Sequence, residues 1–159
     1  MKAIPLPDKP QFIWVGGALD KHTRLLGRHV RADQHYVQWF EHQRLRRLLE
    51  KFPATQIVLI GHSYGASTAA KLVAAGHQVN LLVTIDPVGW APVQLAQIQQ
   101  HCQQWLNFRA ADTKTNFANM VARAGGWWQQ APLQFAHQHI DIAADHALVV
   151  SKALAHLAW

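Results

Sequence analysis

Residues 56–75 read QIVLI-GHSYG-ASTAAKLVAA, and the predicted fold is built outward from this stretch. The run Gln56–Ile60 is apolar and β-branched, which is typical of a buried strand. The run Ala66–Ala75 is rich in small residues and favours a helix. Between them lies a G-x-S-x-G pentapeptide with Ser63 at its centre. The sequence therefore predicts the strand, sharp turn and helix of a nucleophile elbow, which presents a serine hydroxyl above a sheet.

Two glycines make this turn sterically feasible. A serine on a tight, strained turn needs neighbours without bulk, and Gly61 and Gly65 leave that space. The following helix points its positive N-terminal end at developing negative charge, and the backbone N–H of Tyr64 supplies half of an oxyanion hole. The alternatives are a glycine-rich turn without chemistry or a phosphate-binding loop, but the lysine that a phosphate loop requires does not follow.

The rest of the chain alternates between strand and helix patterns. Further strands are predicted at Phe12–Val15, Val79–Ile85, Gln104–Arg109 and Phe135–Ile142. Helices are predicted over 33–52, with Asp33 as N-cap and Pro53 as terminator, over 116–124 and over 147–157. Residues 18–32 are interpreted as a loop or a short strand. The expected fold is α/β, a three-layer sandwich with a mostly parallel sheet of about five or six strands, formed by residues 1–159 as one domain.

Composition limits the classes of function. The chain has 159 residues, half of them hydrophobic, and a net charge of +6. The basic residues are concentrated early, and we interpret them as a solvated helix face, since aromatic residues are not interleaved as in nucleic-acid binding proteins. A single cysteine, Cys102, excludes an intrachain disulfide and favours a cytoplasmic setting. Residues 1–10 do not resemble a secretory signal, and no apolar stretch predicts a transmembrane segment.

A serine nucleophile needs a general base, and the base needs a carboxylate to orient it. In parallel sheets such groups collect at the carboxyl ends of the strands. Asp86 directly follows the predicted strand Val79–Ile85, whereas Asp112, after the next strand, is the competing acid. His146 follows the last predicted strand and is the preferred base, and His62 is interpreted as structural.

The second oxyanion donor is expected in the loop after the first strand, where Gly17 and Ala18 lie. A Gly-Gly pair at residues 16–17 allows a close approach to a substrate oxygen, although it could equally form only a tight turn. Trp90, Trp127 and Trp128 are candidates for the wall of an acyl pocket, with core or interface residues as the favoured alternative. The flanking glycines 125–126 raise the hypothesis that residues 127–128 move as a lid.

These motifs together resemble the α/β-hydrolase superfamily: Gly-Gly after a strand, the elbow at Ser63, then Asp86 and His146 in the order Ser, Asp, His. The resemblance is strongest to small lipase-, esterase- or thioesterase-like members. It implies a reduced α/β-hydrolase fold without a large cap, with the acid at Asp86 or one strand later at Asp112. The missing cap implies an exposed site, or one completed by a second copy in a homo-oligomer.

The expected function is a serine hydrolase that cleaves a small-molecule carboxylic ester or thioester through an acyl-enzyme. Ser63 attacks, His146 relays the proton, Asp86 orients the imidazole, and Tyr64 with Gly17 or Ala18 holds the oxyanion. This chemistry requires no metal or organic cofactor. Two alternatives stay open, a non-catalytic binding module on the same fold and an acyltransferase that uses the same triad.

Overall fold

A parallel sheet forms the centre of the computed structural model, which describes residues 4–90, 93–157 and 159. The described residues contain six strands: β1 (Gln11–Gly16), β2 (His35–Gln38), β3 (Ile57–His62), β4 (Val79–Ile85), β5 (Cys102–Ala110) and β6 (Gln138–Ile142). Their spatial order is β2-β1-β3-β4-β5-β6, and every neighbouring pair is parallel. The sheet is therefore open, and it has the expected six strands.

Helices connect the strands. They are α1 (Asp20–Thr23), α2 (His42–Lys51), α3 (Tyr64–Ala74), α4 (Leu95–His101), α5 (Phe117–Ala124) and α6 (Val149–Leu157). None of the helices in the described part of the chain combines the length and apolar character that a bilayer span needs.

Two hydrophobic clusters cover the two faces of the sheet. Along β3, Ile57 and Leu59 belong to one cluster while Val58 and Ile60 belong to the other, because successive side chains of a strand point to opposite faces. The first cluster includes residues of α2, α3 and α4, and the second includes residues of α6. This arrangement confirms the predicted three-layer α/β sandwich.

The segment 33–52 differs from its prediction as one helix. Tyr36 and Val37 lie in the edge strand β2, where Trp14 of β1 pairs with Tyr36 and Val15 pairs with Val37. The helix begins only at His42, and its N-cap position is Glu41 rather than Asp33. The apolar residues of this segment fit both a helical stripe and an alternating strand, and pairing with the free edge of β1 selects the strand.

Residues 18–32 contain the short helix α1 and a 3₁₀ turn, Gly27–His29, and no strand. Buried Asp20 organises this segment, since its carboxylate accepts the backbone N–H groups of Leu26 at 2.7 Å and Gly27 at 3.1 Å. The Tyr36 hydroxyl also donates to this carboxylate. The loop after β1 is thereby tied to β2.

The second half of the chain follows the predicted pattern with two differences. Helix α4 lies before β5 and was not predicted. Strand β6 begins at Gln138 rather than Phe135, because residues 131–134 form a 3₁₀ turn. Helix α5 has Asn116 as N-cap, with its side chain accepting the Asn119 N–H, and Gly76 follows the elbow helix with a positive φ of 117°.

Candidate active site

Ser63 lies on the turn between β3 and α3 with φ 56° and ψ −126°, a conformation that non-glycine residues rarely adopt. The two flanking glycines are sterically required. A Cβ on Gly61 would lie 2.6 Å from the Gly65 carbonyl oxygen, and a Cβ on Gly65 would overlap the Val15 carbonyl. The structure therefore contains the strained elbow that the pentapeptide predicts.

The elbow serine faces a histidine and a carboxylate. Ser63 Oγ is 3.0 Å from His146 Nε2, and His146 Nδ1 is 2.6 Å from Asp86 Oδ2. Asp86 follows β4 directly, while His146 lies on the connection between β6 and α6. The structure thus brings together, in one chain of hydrogen bonds, three residues that the sequence places after three different strands.

Asp86 is fully buried, and its carboxylate accepts three hydrogen bonds. Its Oδ1 accepts the backbone N–H of Ala110 at 2.9 Å. Its Oδ2 accepts the indole N–H of Trp127 at 2.8 Å in addition to the contact with His146. Hydrogen bonds of this kind compensate for the loss of water around a buried negative charge. Asp86 also has a positive φ of 47°, a second strained residue beside Ser63.

Asp112, the rival acid, has a different role. Its Oδ1 accepts the backbone N–H of Lys114 at 3.1 Å, and its backbone N–H donates to the Ala144 carbonyl. The carboxylate closes its own turn, and the backbone N–H ties the loop after β5 to the residues that follow β6. The structure thus places Asp86 rather than Asp112 against His146.

The backbone of His146 is held from two sides. Its N–H donates to the side-chain oxygen of Asn119 at 2.9 Å, and its carbonyl lies 3.0 Å from His62 Nε2. The carbonyl can only accept, so His62 Nε2 carries a proton and donates. Burial, with a smaller contribution from His146, lowers the pKa of His62 to about 3. His62 is therefore neutral at ordinary pH, and its hydrogen bond holds the backbone of His146.

The predicted oxyanion loop lies against the nucleophile. A Cβ on Gly17 would come within 2.8 Å of Ser63 Cβ and 3.4 Å of Ser63 Oγ, so only glycine allows this approach. The Gly17 carbonyl accepts the Asp20 N–H at 3.1 Å, which connects the loop to the buried Asp20 carboxylate. Tyr64, the other predicted donor, is the first residue of α3. The structure thus brings Gly17 against Ser63, while Ala18 is the next residue of the same loop.

The three candidate tryptophans line one cavity of about 550 Å³, and none of Ser63, Asp86 and His146 is among its lining residues. Trp127 also touches the triad itself, through Asp86 and through an edge contact with the His146 ring at 6.0 Å. Trp128 packs against the core and donates from its indole N–H to the Gly89 carbonyl at 2.9 Å, while Trp90 is 75% exposed. The indole side chains thus have three separate environments.

The proposed lid is tied to the loop after β4. Gly89 N–H donates to the Gly126 carbonyl at 2.8 Å, and Trp128 N–H donates to the Pro87 carbonyl at 3.1 Å. Val88 and Trp127 form an antiparallel bridge. Movement of residues 127–128 as a lid would break these bonds as well as the indole contact with Asp86.

Sequence reasoning missed two polar contacts of the site. Asn119 is fully buried inside α5 and links the loop after β5 to His146, and Trp127 donates to the acid from 41 residues away. An amide in the middle of a helix that proves to be buried is a signal for such a role, but its burial is not visible in the sequence. Cys102 is no rival nucleophile. It lies at the amino end of β5, whereas Ser63, Asp86 and His146 follow the carboxyl ends of strands, and burial raises the pKa of its thiol to about 12.

A six-stranded parallel sheet with an elbow serine after β3 and a histidine after the last strand defines a class of folds. The sequence model of the α/β hydrolase fold matches residues 20–135 of this chain. The match covers more than half of the 159 residues, and the chain belongs to the α/β hydrolase fold family.

Two solved structures illustrate the similarity. The esterase domain of a Rhodothermus marinus protein has a TM-score of 0.58 at 15% sequence identity, and the match covers 98% of this chain and 89% of that one. A putative YdeN-like hydrolase from Pectobacterium atrosepticum has a TM-score of 0.50 at 20% identity, with 87% and 80% covered. Identities this low show a shared fold. No curated protein matches the chain.

Proposed function

We propose that the protein is a serine hydrolase that cleaves a carboxylic ester or thioester through an acyl-enzyme intermediate. The observation that carries the proposal is the continuous contact from Ser63 Oγ to His146 at 3.0 Å and from His146 to Asp86 at 2.6 Å. All three residues are at least 95% buried from solvent, so their mutual hydrogen bonds are not in competition with bulk water.

The role of each group follows from its contacts. Asp86 accepts from His146 Nδ1–H, which leaves Nε2 unprotonated and aimed at the Ser63 hydroxyl. As Ser63 Oγ attacks the substrate carbonyl carbon, its proton moves to His146 Nε2. The imidazolium that forms is stabilised by the buried Asp86 carboxylate.

The carbonyl oxygen of the substrate becomes negatively charged during the attack by Ser63. The proposed donors to it are the backbone N–H of Tyr64 at the start of α3 and the backbone N–H of Gly17 or Ala18. Protonated His146 then gives its proton to the departing alcohol or thiol, and the bond between the acyl carbon and the leaving group breaks. A water molecule, deprotonated by His146, attacks the acyl-enzyme and releases the carboxylic acid and free Ser63. These steps require no cofactor.

Two variants test the proposal with a fluorophosphonate probe. We expect the wild-type protein to be labelled and S63A to be unlabelled. S151A is the matched control, because Ser151 lies on α6 and its hydroxyl donates to the Leu148 carbonyl rather than facing His146. S151A should be labelled like the wild type. A folded wild-type protein that remains unlabelled would contradict the proposal, and so would labelling of S63A.

The two alternatives are distinguished by different observations. A binding module does not need the serine, base and acid within hydrogen-bond distance, and both contacts here are that short, which supports the enzyme. Hydrolase and acyltransferase share the acyl-enzyme. The products of an activated ester, measured with and without an added alcohol, distinguish hydrolase from acyltransferase. A hydrolase releases mainly the free acid under both conditions, which is the result we expect, whereas an acyltransferase forms a new ester with the alcohol.

A further inference from the structure

Exposed large apolar side chains are concentrated at the end of the sheet where the strands have their carboxyl ends. Among the described residues, seven such side chains are more than half exposed, and six of them follow the carboxyl ends of strands. We call these six the apolar rim: Leu19, Phe40, Trp90, Phe117, Met120 and Leu148. The seventh, Leu133, lies in the 3₁₀ turn 131–134 shortly before the start of β6, and we do not count it as part of the rim.

The apolar rim is attached to the candidate active site at several points. Leu19 is two residues from Gly17, and Leu148 is two residues from His146. Phe117 and Met120 flank Asn119, the residue that holds the His146 backbone.

The remaining two members are connected through aromatic and loop contacts. Phe40 packs edge-on against Trp39 at 5.7 Å, and Trp39 lies 5.1 Å from the ring of Tyr64, next to the nucleophile. Trp90 adjoins Gly89, whose N–H donates to the Gly126 carbonyl beside Trp127. The rim members therefore lie on five different connections that follow the carboxyl ends of strands, as Ser63, Asp86 and His146 do, rather than forming a seam along one helix.

Exposed charges among the rim are positive. Lys21 and Arg24 follow β1, and Lys114 and Arg123 follow β5, and all four side chains are exposed. The carboxylates at this edge are not free: they are Asp20, Glu41, Asp86, Asp112 and Asp145, each of them buried or half-buried and accepting hydrogen bonds.

Three of the four exposed acidic residues lie elsewhere, and the fourth, Asp141, is near the carboxyl end of β6. Asp8 and Asp33 precede β1 and β2, and Glu50 lies near the end of α2, so all three are at the opposite edge of the sheet. Asp141, on the edge strand β6, is paired with Arg109. The edge that carries the apolar rim therefore presents apolar and cationic groups to an approaching surface.

We infer that this edge docks on the surface of an anionic phospholipid membrane. Apolar side chains on separate loops can enter the region between headgroups and acyl chains, while lysine and arginine side chains contact the phosphates. Each basic side chain near an anionic bilayer strengthens binding by about five-fold, and apolar burial adds to it. Docking in this orientation turns the mouth of the site toward the lipid. The inference does not require Ser63 to be a nucleophile.

Vesicle flotation of the S63A protein tests the inference without turnover. We expect S63A to float with vesicles of phosphatidylcholine and phosphatidylglycerol, to float much less with phosphatidylcholine alone, and to be released by high salt. The apolar test pair is F117S/L148S, with L133S as the control that removes a leucine outside the rim, 53% exposed against 57% for Leu148. The test pair should lose at least about ten-fold in vesicle affinity, and L133S should bind like its parent.

Charge is tested separately. K21E/K114E removes two rim cations, and R46E/R47E makes the same change in net charge on α2, away from the rim. The first pair should lose at least about ten-fold in affinity for anionic vesicles, while the second retains most of it. Circular dichroism and the melting temperature check that each variant folds. W90S, which removes a third rim side chain, should also weaken vesicle binding.

Three results would overturn the inference: no flotation of folded S63A with anionic vesicles, equal loss in the rim and control variants, or a rim that serves only self-association. In the last case, gel filtration would show a dimer that F117S/L148S dissociates, without vesicle binding. A protein that floats but is unlabelled by the fluorophosphonate probe would contradict only the proposed hydrolase activity.

Discussion

The neutral, buried His62 beside the base predicts a specific loss of stability in acid. His62 is 3% exposed, its ring centre lies 4.8 Å from that of His146, and its Nε2 donates to the His146 carbonyl. A proton added to His62 would be buried beside a second imidazole, and the groups that contact its ring, the imidazole and the carbonyl of His146, carry no negative charge. Burial first, and His146 second, therefore lower its pKa from 6.5 to about 3.

The sign and size of the effect follow from this shift. Between pH 6.5 and pH 3 the unfolded chain binds a proton at His62 that the folded chain does not. The stabilisation is thus fully present above pH 6.5, and it falls by about 1.4 kcal/mol for each pH unit below that value. At pH 5 the loss is about 2 kcal/mol, and it approaches about 5 kcal/mol at pH 3, a large part of the free energy of unfolding of an ordinary domain.

Urea unfolding of the wild type and of H62Q at pH 7, 6 and 5 measures the effect. Glutamine keeps an N–H donor for the His146 carbonyl but does not titrate. The wild type should lose about 2 kcal/mol more than H62Q between pH 7 and pH 5. H42Q, which removes an exposed histidine from α2, should behave like the wild type. If the free energy of unfolding fell equally with pH in the wild type and in H62Q, the assignment of the acid sensitivity to His62 would be refuted.

Three further predictions concern the turnover of an activated ester. D86N should lower kcat by about 10⁴-fold, since the base loses the partner that fixes its tautomer, while D112N should keep most of the activity because that carboxylate only closes a turn. W127F removes one hydrogen bond to the buried acid and should lower kcat/KM by about 10- to 100-fold, with a normal melting temperature as the check on packing. G17A places a Cβ 2.8 Å from Ser63 Cβ and should cost about 10²- to 10³-fold in kcat, with less effect on KM. Equal activities of D86N and D112N, or an unchanged kcat/KM in W127F or G17A, would contradict the corresponding assignment.

The central part of the fold could be predicted because its signals are local. Strands β3 and β4 are buried on both faces and appear as continuous apolar runs, and the polar residue that ends each run marks the edge where the site lies. Ser63 is proposed from the pentapeptide that follows β3, Asp86 from its position directly after β4, and His146 from its position after the last predicted strand. The order of residues along the chain therefore carried much of the information about the candidate site.

The edges of the sheet could not be predicted in the same way. Strand β2 has four residues, and its conformation depends on pairing with β1 about 20 residues earlier, which no local pattern encodes. Helix α4 is rich in glutamine and has a single buried residue, Ile98, so its apolar stripe is too weak to recognise.

The contacts that hold the acid and the base are also long-range. Trp127 reaches Asp86 only because the connection after α5 bridges to Val88 in the loop after β4. Asn119 reaches His146 because α5 begins beside the loop that follows β6. Both residues come from segments whose sequence marks neither a strand end nor a reactive side chain. They support the triad from outside the motif.

Burial of the site without a cap has a structural explanation. The described connections build no separate cap domain, yet Ser63 and His146 are each 5% exposed. Gly17 lies against the nucleophile, and the Trp127 ring lies against His146, so the connections after β1 and α5 cover the triad at short range. In many enzymes a cap both excludes water and selects the substrate. Here the connections after β1 and α5 supply this cover for Ser63 and His146, so short loops alone bury the proposed site.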